Sequence, residues 1–181
     1  MKRNFLVIFL VLIWNLSSSQ HSDRFLELVK DLEKIRCKTD TTYYKNGNIW
    51  WITCWTTYKY NSEEYSIGTG KMIQYYKNGQ IANETYMDKY GNILSWNGFD
   101  RNGNKSIESV TTKIDSDAEN LKEFFDSPLY IKFNRYNRLY KCSGKLGVCY
   151  LFKEGIRVNG KKSGLWITYN HNGEIKKEKK H

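Results

Sequence analysis

Proline occurs once in this chain of 181 residues, at Pro128, and histidine three times, at His21, His171 and His181. The lone proline gives a single forced helix stop. The histidines sit beside a cleavage-type segment, in a turn and at the chain end, and no Ser, Cys or Asp nucleophile has a base at a suggestive spacing. That pattern excludes the common routes to nucleophilic catalysis. No Cys-x-x-Cys occurs and no histidine is placed to complete a tetrahedral ligand set, so a zinc site is not expected. Beyond residue 19 no apolar run approaches the roughly 20 residues that cross a bilayer. The acids Glu63, Glu64, Glu84, Asp88, Asp100, Glu108 and Asp115 are scattered, and nothing selects two as a glycosidase-type pair. The expectation is a protein that is not an enzyme and carries no cofactor or metal.

What is present begins with a targeting segment at residues 1–19. Lys2 and Arg3 precede an apolar run from Phe5 to Leu16, broken only by Asn15, and Ser17-Ser18-Ser19 supplies small residues for cleavage before Gln20. That run is too short to span a membrane, and no cysteine adjoins the cut to carry a lipid. The reading is a signal peptide and a periplasmic, cell-surface or secreted protein. Losing those residues removes two of the 29 bases and none of the 19 acids, leaving 162 residues and a net charge of +8. All four cysteines, Cys37, Cys54, Cys142 and Cys149, lie in the remainder, and an even count in an exported chain reads as disulfides. Of the three pairings, the local one, Cys37–Cys54 with Cys142–Cys149, closes the shortest loops and is favoured. Each would contribute about 2–3 kcal/mol. The basic balance serves solubility first. Lys161-Lys162 and the Lys176-Lys177, Lys179-Lys180 cluster offer attraction to anionic lipid or polysaccharide, fading with salt. Export argues against nucleic acid.

The pentapeptide Tyr-Tyr-Lys-Asn-Gly occurs at Tyr43–Gly47 and again at Tyr75–Gly79, with Asn46 and Asn78 before the glycines. Gly79, Gly91 and Gly103 fall twelve residues apart, each closing a turn-type sequence. The segment from Gly70 to Gly79 aligns without gaps on Gly164 to Gly173, placing Tyr75 on Tyr169 and Asn78 on Asn172. Asn-Gly at a hairpin suits a tight turn with positive φ at both central residues. Copying at a fixed period means one structural unit stacked on itself. A strand of about seven or eight residues plus a short turn accounts for the step, and short turns make successive strands antiparallel neighbours. The fold class is therefore mainly β, an antiparallel meander of hairpins forming an extended or curled sheet.

Along the chain, residues 20–40 hold an N-terminal amphipathic helix and lead-in. Asp23 caps it, and Phe25, Leu28, Val29, Leu32 and Ile35 give an apolar stripe as far as about Cys37. Residues 41–111 carry hairpins, with strands at Ile49–Tyr60, Lys71–Tyr76, Gln80–Met87, Asn92–Phe99 and Asn104–Thr111. In the first, Trp51, Thr53, Trp55 and Thr57 alternate with Trp50, Ile52, Cys54, Tyr58 and Tyr60. Residues 112–128 read as an insertion with a short helix, opened by the capping pattern Ser116-Asp-Ala-Glu119 and stopped by Pro128. Hairpins resume over 129–175, with strands at Leu129–Phe133, Arg138–Cys142 and Cys149–Lys153. Residues 176–181 form a solvated basic tail.

The phrase Gly-x-Trp-x-x-Tyr-x-x-Asn-Gly resembles the variant MORN repeat, which also defines the YwqK-type antitoxin group. Gly160 to Ile175 fits almost in full through Gly164, Trp166, Tyr169, Asn172 and Gly173. Gly70 to Ile81 fits with Met72 in place of tryptophan. Tyr43 to Ile49 fits only the second half, since Lys38 stands at the first glycine. The Gly91 and Gly103 turns are degenerate copies, with Phe99 where Tyr169 stands, and residues 104–150 depart from the pattern. The resemblance implies hairpin-built sheets that bind or scaffold and carry no catalytic residues. Its antitoxin side implies a protein that grips a toxin.

Three functions follow as expectations. The first is a non-enzymatic exported module binding a protein or cell-envelope component through its sheet. The second is an immunity-like protein neutralising a toxic partner outside the cytoplasm. The third is a carbohydrate-binding or carbohydrate-active protein, for which Trp50, Trp51, Trp55 and Tyr58 would form an aromatic platform. For those aromatics, and for Tyr43, Tyr75 and Tyr169, core packing is the preferred role.

Overall fold

A computed structural model describes residues 20–181, so the expected signal segment lies outside the described residues. Helix α1 (Asp23–Val29) is followed by β1 (Glu33–Tyr43), β2 (Ile49–Tyr60), β3 (Glu63–Tyr75), β4 (Ile81–Met87), β5 (Ile93–Phe99) and β6 (Lys105–Ser116). Helix α2 (Leu121–Asp126) and a single 3-10 turn (Pro128–Tyr130) precede β7 (Ile131–Ser143), β8 (Val148–Val158), β9 (Lys161–Tyr169) and β10 (Ile175–Lys180). The ten strands lie in one sheet in sequence order, each antiparallel to the next. It is the meander expected from the repeats, open, with β1 and β10 as its edges.

The repeated turns share one geometry. At Tyr76–Gln80 the Tyr76 N–H donates to the Gln80 carbonyl at 2.8 Å and the Gly79 N–H to the Tyr76 carbonyl at 2.9 Å. The same pair of bonds closes the turns ending at Gly47, Gly91, Gly103 and Gly173. Only the glycine has positive φ, +84° at Gly79 and +85° at Gly173, while Asn78 and Asn172 do not. These are type I turns followed by a left-handed glycine bulge, three-residue loops rather than the two-residue turns expected from Asn-Gly. The asparagine caps its own turn: Asn78 Oδ1 accepts from the Gln80 N–H at 3.2 Å. Two-residue turns occur elsewhere, at Asn159-Gly160 (φ +47°, +80°) and at Asn61-Ser62 (φ +48°, +68°). Asn61-Ser62 was not anticipated, and β3 begins at Glu63 instead of Lys71 because of it.

The aligned phrases fold alike. Gly70 and Gly164 have φ of +68° and +65°, and at each the strand register slips against its neighbour: Ile52↔Ile73 gives way to Cys54↔Thr69, and Gly155↔Trp166 to Ile156↔Ser163. Each glycine thus marks a bulge that bends the strand. Repeats are tied by the second tyrosine of the pentapeptide. Tyr44 OH donates to the Tyr75 carbonyl at 2.7 Å and Tyr76 OH to the Phe99 carbonyl at 2.8 Å. Asn48 and Asn78 amides reach the Lys77 and Arg101 carbonyls at 2.8 and 3.0 Å. Tyr43, expected in the core, is 61% exposed, because its neighbour makes the contact.

The helices pack over the ends of the central strands, around β6. Ser22 caps α1, its Oγ accepting from the Phe25 N–H at 3.1 Å while donating to Asp115 at 2.6 Å. Phe25 and Val29 pack with Tyr90, Ile114, Ala118, Leu121 and Phe124 in one cluster. Burying each large side chain is worth about 1.5–3 kcal/mol. His21 lies on this cluster, 5.0 Å from the Phe25 ring, with Nε2 2.6 Å from Asp88 Oδ2.

Several expected boundaries move. Helix α1 stops at Val29, not near Cys37, because Glu33–Tyr43 pairs along β2 and Ile35 faces solvent. Helix α2 is capped by Asn120, whose Oδ1 accepts from Glu123 N–H at 3.0 Å, and Ser116 instead ends β6. The insertion therefore begins after 116, since Lys113–Ser116 pairs with Ile131–Asn134. Strand β7 is continuous where two strands were expected. The basic tail is the edge strand β10, paired with β9 although solvent-exposed. The expected cysteine pairing is present, Cys37 with Cys54 and Cys142 with Cys149.

Candidate binding face

Residues paired across an antiparallel sheet point to the same side. One row of cross-strand partners reads Met72, Thr85, Trp96, Ser109, Asn137, Gly155, Trp166 and Lys179, from β3 to β10. A parallel row reads Trp51, Gln74, Asn83, Gly98, Ile107, Leu139, Lys153, Thr168 and Lys177. Together with Arg135, Arg157 and Lys162 they make the front face.

Near β2–β5 this face holds a shallow groove lined by Trp51, Met72, Gln74, Asn83, Thr85 and Trp96, with a volume of about 130 Å³. Its polar groups form a relay. Trp96 Nε1 donates to Asn83 Oδ1 at 3.0 Å, and Asn83 Nδ2 donates to Gln74 Oε1 at 2.7 Å. Thr53, on the same side of β2 as Trp51, is buried with its hydroxyl unpartnered among the described residues.

Toward β8–β10 the same face is cationic. Trp166 is 1% exposed and donates Nε1–H to the Ile156 carbonyl at 3.0 Å. It lies flat on Gly155, where a Cβ would fall 2.5 Å from the ring. Over it stand Lys162 at 4.9 Å and Lys153 and Arg157 at 5.6 Å from the ring centre. Burial first, then Lys162 and Lys177, hold the Lys153 ammonium below its ordinary pKa. Burial and then Lys179, Lys162 and Lys153 likewise lower His181. Arg135 is lowered by burial alone. None of Arg135, Lys153, Arg157, Lys162, Lys177 and Lys179 has an ion-pair partner among the described residues.

The opposite face takes the carboxylates. Its row reads Ile73, Glu84, Asn97, Glu108, Arg138, Glu154, Ile167 and Glu178. Arg138 bridges Glu108 at 3.8 Å and Glu154 at 3.3 Å, while Tyr140 and Tyr169 donate to those carboxylates at 3.0 and 2.5 Å. Burial alone would raise Glu154, but hydrogen bonds from Tyr169, Tyr136 and Arg138 outweigh it and hold the carboxyl low. Burial, reinforced by Glu154, pushes the Tyr136 phenol up to about 12. These acids are committed to structural partners, which suits neither a free acid nor a free base.

The expected platform of Trp50, Trp51, Trp55 and Tyr58 is not one surface. Trp51 lines the front groove, while Trp50 points the other way, 5.9 Å from Tyr44. Trp55 is exposed, and Tyr58 is buried with its hydroxyl on the Lys89 carbonyl. Strand alternation separates neighbours that the sequence sets side by side. Trp96, Gln74, Asn83, Lys153 and Arg157 went unremarked in the sequence, since only register brings them together. Among the described residues no group of His, Cys, Asp and Glu is placed to hold a metal, and no helix is long and apolar enough to cross a membrane. No protein-family model, curated protein or solved structure matches this chain.

Proposed function

We propose that this protein is a non-enzymatic, exported β-repeat module that binds an anionic component of the cell envelope on the front face of its sheet. The sorting of charge carries the reading. Arg135, Lys153, Arg157, Lys162, Lys177 and Lys179 occupy front rows that hold no carboxylate, while Glu84, Glu108 and Glu154 lie on the back. Crowded like charges oppose the folded state, and a bound anion relieves that repulsion. The paired cysteines support an oxidising compartment outside the cytoplasm, in line with the signal-type segment. The resemblance to hairpin repeats that bind or scaffold supports the absence of a reaction.

The test is titration of the protein with two polyanions, polygalacturonate and polyphosphate. Binding should be seen at low ionic strength and fade as the Debye length falls from about 10 Å to about 3 Å. Failure to bind either polymer, or binding indifferent to salt, overturns the proposal.

A further inference from the structure

We infer that the groove between Trp51 and Trp96 is a subsite for a sugar ring, so that the anionic ligand is a polysaccharide. This rests on the function proposed above and names its ligand class.

The groove's hydrogen-bond polarity is fixed from one end. An indole nitrogen only donates, so the group facing Trp96 must be the oxygen of the Asn83 amide. The Asn83 NH2 then faces the Gln74 oxygen, which turns the Gln74 NH2 outward as a donor without a partner among the described residues. The Thr85 side chain lines the same groove. Around these polar groups lie the half-buried rings of Trp51 and Trp96 and the thioether of Met72. Flat aromatic surface beside oriented amide donors matches a pyranose, which has an apolar C–H face and a hydroxyl rim. A phosphate chain has no such face, and an acyl lipid has no such rim.

The groove and the cationic cluster lie on one face of the sheet. Trp96 and Trp166 stand in one register row, separated by Ser109, Asn137 and Gly155. Strands are about 4.8 Å apart, so the four steps from β5 to β9 span about 19 Å. One ligand touching both ends must be a chain running across the strands. Sugar rings would occupy the Trp51–Trp96 end, and acidic substituents would meet Lys153, Arg157 and Lys162 at the other.

The experiment compares polygalacturonate with polyphosphate of matched charge, using the wild-type protein and three variants: Gln74→Ala, Trp96→Ala and the double variant Lys153→Gln/Lys162→Gln. Gln74→Ala and Trp96→Ala should each weaken polygalacturonate about tenfold while leaving polyphosphate unchanged. Unchanged polyphosphate binding doubles as evidence that the variants are folded. The double lysine variant should weaken both polymers, on the order of fivefold per charge removed. If Gln74→Ala and Trp96→Ala both leave polygalacturonate binding intact, the sugar subsite is wrong and the anion-binding reading stands. If wild-type protein binds phosphatidylglycerol vesicles better than polygalacturonate, the ligand is a lipid surface and the inference falls. If no polyanion binds the wild type, both readings fall together.

Discussion

The helix-covered centre around β6 and the uncovered β8–β10 end belong to one antiparallel meander and are stabilised in different ways. At the helix-covered centre, Phe25, Val29, Ile114, Leu121 and Phe124 meet in a two-layered cluster where α1 and α2 close over strand ends. At the β8–β10 end no helix covers the strands, and one indole, Trp166, lies on a glycine under a canopy of cations. Helices add an apolar second layer over the central strands, whereas at β8–β10 a single buried indole takes that place. The uncovered end keeps its charge available.

Removing each region's anchor should have the largest effect. Phe25→Ala and Trp166→Ala should each cost about 3–5 kcal/mol by cavity formation. In hydrogen exchange, Phe25→Ala should expose amides of α1, β6 and α2, and Trp166→Ala those of β8–β10. Equal exposure throughout would mean the two regions are one cooperative unit. The disulfides divide likewise. Replacing Cys37 and Cys54 by serine should cost about 3 kcal/mol, and replacing Cys142 and Cys149 about 2, since the loops they close span separations of 17 and 7 residues. Urea midpoints check this: a larger loss in the Cys142/Cys149 variant than in the Cys37/Cys54 variant would contradict the loop-length argument. Gly155→Val should cost about 1–3 kcal/mol by driving a side chain into the Trp166 ring. A matching change at Gly173, where a Cβ meets nothing within 4 Å, is strained only through its φ of +85° and should cost less.

Acid gives the smallest and most general contrast. The Ser22 hydroxyl bond holds Asp115 below its usual pKa under the helices, and Glu154 is held low near the uncovered end. A depressed carboxylate stabilises fully above its unfolded pKa, about 4, and loses that contribution as pH falls through the folded value. Stability should therefore decline below about pH 4, and Asp115→Asn should flatten the decline at α1 while leaving β8–β10 unaltered. A midpoint insensitive to pH between 5 and 2 would contradict both assignments.

Much of this architecture is legible from residues alone. The spacing of Gly79, Gly91 and Gly103 gives the meander, and the match of Gly70–Gly79 to Gly164–Gly173 gives equivalent bulges. Local chemistry decides such features, because glycine alone tolerates the left-handed turn position without strain. The binding face is a different matter. Trp50 and Trp51 are adjacent in sequence and face opposite ways, whereas Trp96 and Trp166 are 70 positions apart and share a row. No local signal joins them.

From the order of amino acids alone came the unit: a strand, a glycine-closed turn, and antiparallel neighbours in chain order, with local cysteine pairing favoured among three. Tertiary pairing alone decided which side each residue faces, because a single-residue slip in register exchanges the two faces of a strand. Register put Lys153, Arg157 and Lys162 around Trp166 and Glu154 on the opposite face, and it turned the helix expected through Cys37 into the edge strand β1.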